Sequence, residues 1–321
     1  MPRGRNPQNI LLRNKILAPL ILKKILNTAD STQRGMGISI GILLGFVATI
    51  GWGVSDFFVA KAVRKGPIFK IFAWSQIIGI SIYFLIFAAL FEFPIISFET
   101  FGFILLTGFF GIILYLTFYK AMKIGYVSII SPLTASGVII TVLLSTILLN
   151  ESLTQAQTIG VGFAILGAVL TSFKFHDLIK LNLKNLAVGV EYAFAAMIAL
   201  GVYLTLIDML VEDLNWFVAL FLIKMVTVFC FLTYAGMVKI KMTFPKKVGI
   251  FIILIGIFEA IGTLSYMAGI STEQTAVIAP IIATSPMITI LLARIFFKEI
   301  LDLNQKYGIA FVLMGLVLLA L

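Results

Sequence analysis

The sequence predicts an all-α integral membrane protein of ten transmembrane helices, arranged as two inverted five-helix repeats. Three observations lead there. The chain is 61% hydrophobic and only 12% charged, with a mean hydropathy of +1.12; that much apolar surface suits lipid and not a soluble core. Charge-free runs such as Ile71 to Phe91, Thr100 to Tyr119 and Ile124 to Asn150 each have the length of one bilayer crossing. A shift of 148 residues brings the landmarks of the chain into register with one another.

The ten spans fall near 37–60, 70–91, 99–121, 126–149, 154–173, 186–208, 215–238, 248–270, 274–297 and 304–321. Backbone facing lipid must satisfy its own hydrogen bonds, so each span is a helix. Residues 1–35 form a basic N-terminal extension, with Arg3, Arg5, Arg13, Lys15, Lys23, Lys24 and Arg34 against one acid, Asp30. Its internal cations interrupt any signal-peptide core, and Pro19 breaks its apolar stripe. A disordered tail, or translation that begins at Met36, is preferred to a helix lying on anionic lipid. The remaining chain divides into a first repeat at 36–173, a basic linker at 174–185 and a second repeat at 186–321.

At the offset of 148 residues, Gly53 falls on Gly201, Gly108 on Gly256, Pro132 on Pro280 and Glu151 on Glu299. Gln157 likewise falls on Gln305, Gly160 on Gly308 and Gly167 on Gly315. Five helices per copy is an odd number, so the copies cross the membrane in opposite directions, as in transporters whose site lies at the repeat interface. Cations occupy alternate loops: Lys61, Arg64, Lys65 and Lys70, then Lys120 and Lys123, then Lys174, Lys180 and Lys184, then Lys239, Lys241, Lys246 and Lys247, then Arg294, Lys298 and Lys306. The loops between carry acids such as Glu92, Asp213 and Glu273. The positive-inside rule puts the basic face in the cytoplasm and both ends of the ten-helix core outside. The basic extension conflicts with that orientation unless translation begins at Met36.

One cysteine, Cys230, and one histidine, His176, make a zinc site or a Cys/His catalytic pair improbable. Phosphate-loop, zinc-protease and serine-elbow motifs are absent. The expectation is a protein that is not an enzyme, with no metal, no cofactor and no nucleic-acid partner. Its partners are then the lipid bilayer and a small-molecule substrate.

Both halves carry a doubled series of short motifs. The first has "WG" at Trp52–Gly53, "YKAM" at Tyr119–Met122, "SPL" at Ser131–Leu133 and "LLNESLTQAQTIG" at Leu148–Gly160. The second has "YMAG" at Tyr266–Gly269, "APII" at Ala279–Ile282 and "FFKEILDLNQKYG" at Phe296–Gly308. In this order they resemble the EamA domain of the drug/metabolite transporter superfamily, over Met36 to Leu321. The resemblance implies ten helices around a central cavity and secondary transport of small metabolites, often efflux. Two departures stand out. Leu200–Gly201 replaces Trp–Gly in the second copy. The charge bias places both termini outside, where many relatives look built with cytoplasmic termini, and this bears on transport direction.

Candidate site residues are polar groups deep in spans, where charge is costly and functional. Glu259, Lys224 and Asp56 lead, and Glu259 and Asp56 are the proton-coupling candidates. Glu259 shares a helix face with Thr263 and Tyr266, Asp56 with Trp52, and the third span adds Tyr115 and Tyr119. Gln76, Tyr203, Ser136 and Ser285 complete a candidate polar, aromatic-lined cavity. Two readings of Lys224 and Glu259 stand side by side: a structural ion pair, or substrate ligands. Asp56 either serves transport, or is hydrated near the interface, or pairs with Lys61 one turn on.

Pro132, Pro280 and Pro286 are candidate hinges or static kinks. Thr154 with Gln157, and Asp302 with Gln305, have capping-box spacing. Glu151 and Glu299 are expected to fasten the turns before those helices. The fifth and tenth spans, rich in small residues at Gly160, Ala164 and Gly308, are expected to be packing surfaces or the faces of a homodimer. The reading that follows is an alternating-access carrier of the cytoplasmic membrane for a small metabolite, amino-acid-like in class, with efflux preferred. A lipid or lipid-linked-sugar flippase, and an uptake carrier for a sugar or other small polar solute, are the alternatives.

Overall fold

The structure is a computed structural model that describes residues 40–91, 93–94, 96–148, 154–172, 187–272, 281–282 and 284–319. The basic extension, Glu151, the linker at 174–185 and Pro280 lie outside the described residues. All regular elements among the described residues are helical. They are α1 (Ile40–Val63), α2 (Ile68–Leu90), α3 (Phe98–Ile124), α4 (Val127–Ala135), α5 (Val138–Leu148), α6 (Gln155–Ser172), α7 (Val190–Asp213), α8 (Trp216–Met237), α9 (Gly249–Thr272), α10 (Ser285–Phe297) and α11 (Leu303–Leu319).

Six of them, α1, α2, α3, α7, α8 and α9, are long and apolar enough to cross a membrane. The other four expected spans are met by shorter helices. The fourth is divided into α4 and α5, and the ninth is represented by α10, whose 13 residues rise only roughly 20 Å. Caps define several starts. Ser97 accepts the Thr100 N–H before α3, and Asn215 accepts the Phe217 N–H before α8. Within the spans, hydroxyls of Thr107, Thr117, Thr205 and Thr227 bond back to the carbonyl four residues earlier, which satisfies them away from water.

The interruption between α4 and α5 lies at Ser136 and Gly137, one turn beyond Pro132. Ser136 Oγ donates to the Leu133 carbonyl at 2.6 Å. The same event recurs 148 residues later, where Thr284 Oγ1 donates to the Ile281 carbonyl at 2.6 Å just before α10. Pro286 then sits in the first turn of α10, where a missing N–H costs nothing. It therefore starts a helix and does not kink one.

Packing pairs one helix from each half throughout: α1 with α9, α3 with α7, α2 with α8, α4 with α10, and α6 with α11. The contacts are reciprocal. A methyl group on Gly53 would fall 2.7 Å from Ile288 Cβ and 2.9 Å from the Ser285 carbonyl; one on Gly201 would meet Ile140 and the Gly137 carbonyl. Thr289 Oγ1 donates to the Gly53 carbonyl at 3.1 Å, and Thr141 Oγ1 to the Gly201 carbonyl at 3.2 Å. At the periphery, Gly167 abuts Gly308 and Val312, while Gly315 abuts Gly160 and Ala164. The small-residue faces of α6 and α11 are thus filled by each other inside one chain.

The basic loops among the described residues gather at one end of the bundle. Lys70 Nζ donates to Thr243 Oγ1 at 2.7 Å, and Lys123 Nζ to the Gly66 carbonyl at 3.4 Å. Arg64 Nη2 reaches the Gly125 carbonyl at 2.9 Å and Glu299 Oε1 at 3.1 Å. The Val188 carbonyl, just before α7, packs on Gly125. So α1 ends where α7 begins.

Candidate functional site

Among the spans, Lys224 on α8 and Glu259 on α9 meet as an ion pair, with Nζ 2.6 Å from Oε1. They are 2% and 6% exposed, so neither charge is held by bulk solvent. Such a pair is held best where its remaining donors and acceptors are occupied. That holds for the Lys224 ammonium and for Glu259 Oε1. Lys224 has three N–H groups and three acceptors: Glu259 Oε1, the Tyr115 hydroxyl at 2.9 Å and Gln76 Oε1 at 3.4 Å. Glu259 Oε1 also accepts from the Tyr115 hydroxyl at 3.0 Å and from Thr263 Oγ1 at 3.4 Å. Trp52 Nε1 donates to Thr263 Oγ1 at 3.2 Å, which extends the chain of bonds to α1.

Five helices contribute: α1 with Trp52, α2 with Gln76, α3 with Tyr115, α8 with Lys224 and α9 with Glu259 and Thr263. Small residues let them converge. Gly79 leaves Glu259 Oε2 its place, 3.5 Å from where a methyl would stand, and Gly262 lets the Trp52 ring lie against α9. Aromatic rings enclose the pair. Lys224 Nζ lies 4.8 Å from the Tyr115 ring centre, and Trp52 packs on Tyr266 at 5.3 Å. Tyr119 crosses Tyr115 edge-on at 6.3 Å and shares a 3.5 Å hydrogen bond with Ser75.

The remaining sequence candidates make no hydrogen bond to the pair among the described residues. Tyr203 packs its ring on Gly111, beside Thr227. Ser136 is spent on the α4–α5 break and on Met197 Sδ at 3.4 Å, and Ser285 opens α10 against Gly53. Asp56 is half-buried on α1 and makes no hydrogen bond or ion pair among the described residues. Lys61 does not turn to it; its ammonium lies over the rings of Phe57, Phe296 and Phe251, at 5.0, 4.6 and 5.6 Å.

Gln305 Oε1 accepts the Asp302 N–H at 3.1 Å, half of a capping box at the start of α11. The matching Gln157 side chain lies outside the described residues. Glu299 was expected to fasten its own turn. It reaches instead into the other half, where its two oxygens accept the Val127 and Ser128 N–H groups at 2.9 Å each and pair with Arg64. Arg64 carried no signal beyond its place in a basic loop, so local spacing missed this contact.

A bundle of membrane-length helices enclosing a desolvated ion pair, both charges from the second half and the polar groups around them from both halves, is that of a multi-pass membrane protein. The chain belongs to the EamA-like transporter family, which matches residues 39–173 and 187–321. The two matched segments start 148 residues apart and end 148 residues apart, so they are tandem copies in the register read above. The chain is similar to an uncharacterized protein of Methanocaldococcus jannaschii, 32% identical over 133 residues, which are 41% of this chain and 95% of that protein. That relative is about one repeat long. A solved crystal structure shares the fold at a TM-score of 0.60, with 17% identity over 87% of this chain and 96% of that one.

Proposed function

We propose that this protein is a secondary carrier of the cytoplasmic membrane that exports a small zwitterionic metabolite, such as an amino acid. Two inverted five-helix repeats alternate access to a site at their interface. The observation that carries the proposal is the Lys224–Glu259 pair, buried between helices of both halves and ringed by Tyr115, Gln76 and Thr263. A zwitterion offers a carboxylate to Lys224 and an ammonium to Glu259, so it replaces the internal bond charge for charge. Separating the pair without such a replacement leaves two unpaired charges in a dry site, which is strongly unfavourable. Movement through the open site is thereby tied to bound substrate.

Inversion of the repeats is supported by the helix ends: α1 finishes at the basic end, and its counterpart α7 starts there. With the basic end cytoplasmic, the chain would finish outside. Of the two candidate proton carriers, Glu259 is held by three donors whereas Asp56 makes no hydrogen bond among the described residues, so Asp56 is the freer to exchange a proton. Counterflow of labelled amino acids into proteoliposomes tests the substrate class. Uptake above protein-free vesicles is expected for at least one amino acid, and no uptake across the full set contradicts the zwitterion assignment.

A further inference from the structure

We infer that Arg64 and Glu299 form a latch that holds the basic end of the protein shut, and that its release is required to open that end. Glu299 leaves the end of α10, crosses to the first repeat and closes the start of α4 with two backbone N–H bonds of 2.9 Å. Its side chain is 2% exposed. Arg64, at the end of α1, pairs with the same carboxylate at 3.1 Å and donates to the Gly125 and Met122 carbonyls at 2.9 and 3.4 Å. The guanidinium lies 4.1 Å from the Phe297 ring centre. Behind it, Phe57 packs against Phe296 and Phe297 at 5.1 and 5.6 Å, with Lys61 over the rings of Phe57 and Phe296. The ends of α1, α3, α4 and α10 are therefore held by one carboxylate and one guanidinium, over an aromatic seal.

The sequence does not repeat the charges of the latch in the other register positions. Glu151 stands 148 residues before Glu299, but the residue 148 positions after Arg64 is Glu212, so the guanidinium is replaced by a second acid. Two like charges cannot make the fastening that Arg64 and Glu299 make. A frame fastened in this way at the basic face has a resting preference for closure there, and the latch sets that preference.

The inference takes its meaning from the carrier reading, but its test needs no transport. Spin labels at the exposed positions Lys65→Cys and Lys298→Cys, in a Cys230→Ser background, report the separation of the α1 and α10 ends in reconstituted full-length protein. A single short-distance population is expected for the latched protein. In Glu299→Gln and in Arg64→Gln the longer-distance fraction should rise by about tenfold or more, with Arg64→Lys between them. Arg64→Gln keeps both backbone bonds of Glu299, so it reads the latch if Glu299→Gln does not fold. An unchanged distribution in a folded latch variant overturns the inference, as does a long-distance majority in the latched protein. A latch-dependent distance in a protein without counterflow would overturn the carrier reading alone.

Discussion

Lys224 and Gln76 occupy the same position in the two repeats, 148 residues apart, and they touch: the lysine ammonium donates to the glutamine side-chain oxygen at 3.4 Å. Duplicated positions meet in this way only where the two halves face each other. The copies have diverged there. Glu259 stands opposite Gly111 in the register, and Thr263 opposite Tyr115. The second repeat supplies both charges, and the first supplies a hydroxyl, an amide and a glycine gap. A symmetric frame thus carries a polar site with a cationic and an anionic side.

The pair should behave as a unit. Lys224→Met leaves Glu259 charged and unpaired among apolar helices, and is expected to cost about 3–5 kcal/mol. The double variant Lys224→Met with Glu259→Leu should recover most of that loss, because the pair and a packed apolar replacement are close in energy. Chemical unfolding in detergent measures both.

Tyr115 joins the two charges, accepting from Lys224 and donating to Glu259. Tyr115→Phe keeps the ring over the ammonium but removes both bonds, and should cost about 1–3 kcal/mol. Trp52→Phe keeps the packing on Tyr266 and removes one neutral donor, so its cost should be about 1 kcal/mol. Equal effects from the two variants would argue that Tyr115 is not part of the charged network.

Some of this was legible before the structure. Lys224 and Glu259 stood out because a charge inside an apolar run has few explanations, and helical spacing put Thr263 beside Glu259. Their partners across the bundle were not legible, since Gln76 and Tyr115 come from other helices and no local spacing orients helices toward one another. Ser136 and Ser285 looked like site residues because they follow Pro132 and Pro280. In the structure Ser136 completes a helix break, with Thr284 as its counterpart, a use that a short hydroxyl serves as readily as ligand contact. Glu299 was read as a turn residue from its neighbours, whereas its bonds are tertiary.

The doubled frame makes a paired prediction. Gly53→Ala and Gly201→Ala each push a methyl into the facing helix of the other half, and each should cost about 1–3 kcal/mol. Gly236→Ala meets open space in a helix and should stabilise by about 0.5–1 kcal/mol. Thermal unfolding separates the three, and a large difference between the first two would argue against equivalent packing.

Orientation is tested by fusing a reporter after Leu321. The positive-inside reading expects the reporter outside the cytoplasm. A cytoplasmic signal would reverse the assignment of the basic face and, with it, the direction of transport proposed here.

The central claim is that the Lys224–Glu259 pair is the substrate site and not only a structural bridge. It is tested most directly by amino-acid counterflow in proteoliposomes that carry either the natural sequence or the folded double variant Lys224→Met with Glu259→Leu. Counterflow that disappears in the double variant, while its stability stays near that of the parent, is the predicted result. Counterflow that persists at the parent rate would contradict the claim and leave the pair a purely structural contact.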